Sequence, residues 1–245
     1  MEFRIMNYEI NRGTVIFDGI NSQDYGVWIK GSGVYSAPAR RYSSITIPGR
    51  NGTLTIDEGV FEEVEHNYPA FIPENFTVNI RAFRNALLSR AGYKRMTDSY
   101  HPDEYYRAKF MDGLEVTPAP RAIGGEFELR FRRDPRRFLV SGDITQAVGN
   151  GGYIENPTAF PSKPLIRVTG YGEMYVGGDK ITISQHFAYV DIDCEMMDCF
   201  HESDNANGYV SFLSNDFPVL GPGRTNITHD PTITKIEVTP HWWRI

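Results

Sequence analysis

EFELRFRR, Glu126 to Arg133, alternates between two kinds of residue at almost every step. Phe127, Leu129 and Phe131 fall on one face of an extended chain, and Glu126, Glu128 and Arg130 fall on the other. A period of two marks a strand with one face in a core and the other in water. The same period recurs in YVDIDCE, which puts Val190, Ile192 and Cys194 inward and Asp191 and Asp193 outward, and in KIEVTP through Ile236 and Val238. The 245 residues include 23 glycines and 15 prolines, scattered as in a chain with many turns. The pattern is that of a mainly β protein.

One helix interrupts it. In ENFTVNIRAFRNALLSRAG, Phe76, Ile80, Phe83 and Leu87 recur at helical spacing, while Asn79, Arg81, Arg84 and Asn85 face away. Glu74 near the start suits the helix dipole and Gly92 supplies a stop. A lone helix among strands packs across an open sheet face. Upstream, SSITIPGRNGTLTIDEG reads as a hairpin: Ile45 and Ile47 lead into a turn that contains Arg50 and Asn51, and Leu54 and Ile56 follow it. Its strands are rich in Ser and Thr, so both faces read as polar and the ribbon as weakly tied to its own core.

The texture changes near residue 140. Residues 1–140 hold 19 Lys/Arg against 18 Asp/Glu, and residues 141–245 hold 6 against 13. The tract GNGGYIENPTAFPSKP lies at the join, and beyond it LIRVTG, EMYVGG, KITIS, AYVDIDCE, GYVSFLS and TITKIEVTP read as short strands. Two domains are expected, 1–140 and 141–245, the second an antiparallel sandwich. The balanced first half argues against general nucleic-acid binding, and the acidic second half would repel phosphates. No apolar run approaches the roughly 18 residues of a membrane span. Charges in MEFRIMNYEINRG stand where a secretory signal would be apolar, so no export signal is expected.

Two places invite chemistry. MTDSYHPDEYYRAKF gathers Asp98, Ser99, His101, Asp103 and Glu104, the side chains of a hydrolase. No nucleophile elbow, HExxH or phosphate loop accompanies them, and Asp98, Ser99 and Pro102 are common turn formers. They read as a solvated polar corner, with Tyr106, Ala108 and Phe110 sharing the face of the strand behind it. Cys194 and Cys199, five apart, could clip a loop or supply half a zinc site, with His186 and His201 in the same region. No second Cys/His pair with ligand spacing lies nearby, so two reduced cysteines in or beside a strand are expected, with no metal or other cofactor.

Taken in order, these stretches resemble the distal tail protein family of long-tailed, non-contractile bacteriophages. The resemblance lies in TVIFDGINSQDYGVWI, PGRNGTL, RAFRNALLSRAG followed by Asp98-Ser99-Tyr100, and FELRFRRDPRRF. In the second half it lies in NPTAFPSKPLIRVTG, DIDCEMMDCF, DFPVLGPGRTNIT and the ending TPHWWRI. It covers almost the whole chain, although each motif alone is only a turn and a strand.

The resemblance implies an N-terminal β-sandwich-like domain with one packed α-helix and a C-terminal galectin-like antiparallel β-sandwich. It implies a structural virion protein, not an enzyme, forming a ring expected to be hexameric at the tail tip. The tail tube protein and the tail-associated lysin or tip hub protein are the implied partners besides itself, with receptor-binding proteins as further candidates. DNA would pass the lumen without specific binding, and synthesis would be in the host bacterial cytoplasm, from a phage or a prophage. The chain is similar to the short members that lack an inserted carbohydrate-binding module. The Ser43–Gly59 ribbon, with Ile45, Ile47, Arg50, Asn51, Leu54 and Ile56, suits strand addition to a neighbour. Arg132, Arg133, Arg136 and Arg137 are expected in solvent or paired between subunits. The alternative reading is a module for host cell-wall glycans, stacking on Trp242 or Trp243 among Tyr171, Tyr175 and Tyr209.

Overall fold

The structure, a computed structural model, describes residues 12–31, 37–111, 113–114, 116–118, 124–184 and 187–245. The chain divides into two compact units, the first running through Arg137 and the second Phe138–Arg244.

In the first unit, strands β1 (Val15–Phe17), β2 (Ile20–Asn21), β3 (Trp28–Ile29), β4 (Arg40–Thr46), β5 (Thr53–Phe61) and β6 (Val64–Ile72) precede helix α1 (Phe76–Leu88). Strands β7 (Lys94–Asp98), β8 (Glu104–Lys109), β9 (Val116–Pro118) and β10 (Gly125–Leu139) follow it. All but β4 and β5 belong to one sheet, in the order β2-β1-β7-β8-β10-β6-β3, with β9 also on β10. The stretch EFELRFRR is the middle of β10, and its apolar face is inward as its period requires.

The sheet curls until its ends meet. Gly13, just ahead of β1, exchanges both backbone hydrogen bonds with Ile29 of β3, at 3.0 and 2.9 Å. The rings of Phe17 on β1 and Phe131 on β10 are 5.4 Å apart although two strands lie between them in the sheet. A flat sheet would separate those strands by about 14 Å. Phe17, Tyr68, Met96, Leu129 and Phe131 fill the interior and are fully buried. Helix α1 adds Phe76, Phe83 and Leu87 to the same core, with Ile80 partly buried against it. Each of those buried side chains contributes about 2 kcal/mol, which is what holds a 13-residue helix of modest propensity in place.

The second unit contains β11 (Gln146–Val148), β12 (Gly152–Asn156), β13 (Leu165–Gly170), β14 (Gly172–Val176), β15 (Asp179–Ile183) and β16 (Val190–Asp193). It continues with β17 (Asp198–His201), β18 (Asp204–Asn205), β19 (Val210–Phe212), β20 (Gly223–His229), β21 (Ile233–Thr239) and β22 (Trp243–Arg244). Two antiparallel sheets, β11-β21-β13-β16-β17-β18 and β12-β20-β14-β15-β19, enclose a separate core. Ile166, Val168, Ile192, Ile236 and Val238 line it from the first sheet, and Met174, Val176, Ile181, Ile183 and Ile227 from the second. This is the mainly β, sandwich-containing architecture expected from the alternation.

Candidate functional site

The inward face of the first unit changes character at one end of its strands. On β10 the phase of Phe127, Leu129 and Phe131 continues to Arg133, which is 3% exposed. On β6 the phase of Tyr68 and Ala70 runs back to His66, on β7 that of Met96 runs on to Asp98, and on β8 that of Tyr106 and Ala108 runs back to Glu104. All three are buried. Strands that are apolar inside along most of their length therefore converge on a buried polar cluster.

Asp98 is its centre. Its side chain is fully enclosed. Tyr68 Oη donates to Oδ2 at 2.7 Å, and the backbone N–H groups of Tyr100 and His101 donate to Oδ1 at 2.8 and 2.9 Å. His101 Nδ1 lies 3.0 Å from the same oxygen. Burial, and then the charge of Asp98, pushes the Tyr68 phenol well above its usual range. Beside it, Arg137 Nε pairs with Glu104 Oε2 at 3.2 Å and Nη2 donates to Tyr106 Oη at 3.2 Å. The Arg133 guanidinium lies over the Tyr106 ring, 5.0 Å from its centre. His66 packs edge-on to Tyr68, with ring centres 4.5 Å apart, and among the described residues neither of its ring nitrogens has a hydrogen-bond partner. Burial, followed by the charge of Arg133, pulls its pKa down to about 4.

These positions correct two expectations. Asp98, His101 and Glu104 are not a solvated corner; they fold inward and hold the turn after β7 to β6 and β10. Of the four arginines, Arg133 and Arg137 point into their own unit, Arg136 pairs with Asp134 at 2.9 Å, and Arg132 lies 3.7 Å from Glu65. The signal for Arg133 was present in the sequence: it is in phase with Phe131. Chemically the cluster is a mesh of internal contacts that leaves both His66 ring nitrogens without a hydrogen bond among the described residues. Asp98 accepts donors on both oxygens, and the Tyr68 phenol is held in its protonated, donating form.

The hairpin is the most exposed element of the first unit. Among the described residues β4 pairs with β5 alone, with Ile45 opposite Leu54 and Ser43 opposite Ile56. Opposed residues share a face, so Ile45, Leu54 and Ile56 lie together, each more than 40% exposed. Ile47, two residues beyond Ile45, is also exposed, as are Arg50 and Asn51 at the tip. The expectation of two polar faces is thus corrected: only the Thr46, Thr53 and Thr55 side is polar.

In the second unit, Trp242 is 3% exposed and belongs to the core, so it has no face to offer a sugar. Trp243 stacks on Phe160 with ring centres 4.5 Å apart and donates Nε1–H to Pro161 O at 3.0 Å. Tyr171, Tyr175 and Tyr209 are exposed. Cys194 and Cys199 are buried free thiols. Burial raises both, Cys199 to about 12 and Cys194 further. Among the described residues no group of three His, Cys, Asp or Glu side chains could hold a metal, and His186 lies outside them. Asp191, expected outward, is covered: the Arg167 guanidinium forks onto it with two 2.7 Å hydrogen bonds and lies over Tyr189.

These features define a class: a two-unit, mainly β protein, with a curled sheet carrying one helix in the first unit and an antiparallel sandwich in the second. The solved structure of SPP1 Dit (gp 19.1), described as a paradigm of the hub adsorption apparatus in phages that infect Gram-positive bacteria, has this fold. The two superpose with a TM-score of 0.74 at 16% sequence identity, over 95% of this chain and 99% of that one. No family model matches the chain, and no curated protein matches it.

Proposed function

We propose that this chain is a structural protein of the tail-tip adsorption apparatus of a long-tailed phage, where copies of it close into a ring. The observation that carries the reading is the extent of the likeness to SPP1 Dit: it takes in both units and leaves almost nothing of either chain over. The two units are the ring-forming domain, about 1–140, and the sandwich, about 141–245. The polar cluster then has a structural role, and the protein is not an enzyme. Six copies, with the tail tube on one side and the tip hub on the other, is the arrangement expected.

The hairpin supports association between copies. A two-stranded ribbon is marginal alone, and this one exposes Ile45, Leu54 and Ile56 on one face together with strand edges that no other described strand pairs. A neighbour that covers the face and pairs with an edge satisfies both. Leu54→Asp with Ile56→Asp tests this, because both side chains already face water in the single chain. Native mass measurement and electron-microscopy class averages of the purified wild type should show a closed ring, and the variant a folded monomer. A wild type that stays monomeric at high concentration, alone and with tail tube protein, would overturn the reading.

A further inference from the structure

Among the described residues, the three most exposed large apolar side chains are Leu213 at 75%, Met196 at 73% and Val78 at 71%. They belong to two surfaces of opposite charge. Val78 lies on the outer face of α1, where helical spacing places Arg81, Arg84 and the exposed Leu88 on the same side, opposite Phe76, Phe83 and Leu87. Neither Arg81 nor Arg84 pairs with an acid among the described residues.

Met196 and Leu213 lie at one end of the sandwich. The turn carrying Met196 and Met197 leaves β16 where Cys194 N–H donates to Pro164 O at 3.1 Å. The loop from β19 to β20 begins at Leu213 and is bridged by Leu220 to Ser162, two residues from Pro164. Beside Met196 stand Asp193 and Asp198, directly opposite each other on β16 and β17, and the charges of Asp216 and of the exposed Lys163 both reach the neighbouring Cys194 thiol. Elsewhere on the sandwich, Asp191, Glu173, Glu155 and Glu237 each have an arginine or lysine partner, whereas Asp179, Glu202, Asp204 and Asp230 have none among the described residues. Asp193, Asp198 and Asp216 have no cationic partner among the described residues and accept only neutral donors, the N–H groups of Glu195, Met196 and Phe217 and the Asn207 amide. Like charges opposed across two strands repel, and that repulsion is relieved by a cationic surface.

We infer that the Val78–Arg81–Arg84–Leu88 face of one copy docks on the acidic, methionine-bearing end of the sandwich in a second copy. Apolar side chains meet at the centre of such a contact and arginines meet carboxylates at its rim. Because the two surfaces differ, the contact runs head to tail, as a ring requires. The inference rests on the proposal that copies associate and adds a contact that does not involve the hairpin.

The test uses the full chain. Arg81→Glu with Arg84→Glu, or Asp198→Lys alone, should weaken self-association about tenfold, measured by sedimentation velocity. Combining the reversals in one chain should recover most of that loss. A second measurement does not depend on how well the charge variants fold. Arg84→Cys protein and Asp198→Cys protein, mixed under mild oxidation, should form a mixed disulfide faster than Arg84→Cys mixed with Lys235→Cys. Leu54→Asp with Ile56→Asp runs in parallel. If that variant abolishes association while charge reversal changes nothing and the mixed disulfide forms no faster than the control, this contact falls and the ring stands. If neither the hairpin variant nor charge reversal alters association, both readings fall. If only charge reversal and the disulfide respond, this contact stands without the hairpin.

Discussion

Glu104 and Arg137 form an ion pair inside the first unit, 3.2 Å from Oε2 to Nε, with the carboxylate fully enclosed and the guanidinium 14% exposed. Enclosing two ions costs several kcal/mol, which their attraction and hydrogen bonds must offset. Removing one partner leaves the other charge stranded. Glu104→Ala is therefore expected to lower stability by about 3 kcal/mol in urea unfolding of the whole chain. Glu104→Leu combined with Arg137→Met should recover most of it. A loss of less than about 1 kcal/mol for the single change would mean that water reaches the pair.

The meeting of the sheet's two ends leaves no room for a side chain at Gly13. A Cβ at Gly13 would stand 2.2 Å from the Tyr100 ring and 2.9 Å from Ile29. Tyr100 cannot retreat cheaply, since its hydroxyl accepts the Gly31 N–H at 2.9 Å. Gly13→Ala should cost about 2 kcal/mol, within the range for overpacking, and hydrogen exchange should quicken at Ile29, whose N–H donates to Gly13 O. Unchanged exchange at Ile29 would place the strain elsewhere.

The strands were legible because alternation is a local signal. EFELRFRR, LIRVTG and TITKIEVTP each announce their inward face without reference to a partner. The helix was legible for the same reason, through Phe76, Ile80, Phe83 and Leu87. The inward turn of Asp98, His101 and Glu104 was not, because composition reads charged turn residues as solvated. The donors brought by Tyr68 from β6 and by Arg137 from β10, at sequence separations of 30 and 33 residues, add to the local N–H groups of Tyr100 and His101 and make that burial possible. The hairpin's apolar face was hidden by register: Ile45, Leu54 and Ile56 look dispersed among Ser and Thr until Ile45 is placed opposite Leu54.

The two thiols supply a clean probe of the sandwich. Cys194 and Cys199 are free and buried, and burial holds both in the unreactive protonated form well above pH 8. A thiol reagent at pH 8 should label neither in the folded chain and both in denaturant. Labelling in native buffer faster than global unfolding would show that β16 and β17 open locally.

His66 ties stability to pH with a definite sign. Its folded pKa is about 4, against 6.5 for a free imidazole. Above pH 6.5 it is neutral in both states and has no effect. As pH falls from 6.5 towards 4, the unfolded chain takes up a proton that the folded chain refuses, so stability declines, by at most about 3 kcal/mol. His66→Phe should flatten that part of the profile in urea titrations at successive pH values. Burial is the larger cause of the low pKa and Arg133 the next, with Arg137 and His101 acting in the same direction and Asp98 against. Arg133→Met should therefore raise the His66 pKa while leaving it below 6.5, read from the ring proton shifts by NMR. A His66 titration that does not move when Arg133 is replaced would mean that the guanidinium is screened from the imidazole. The cluster would then be two separate polar sites, not one coupled network.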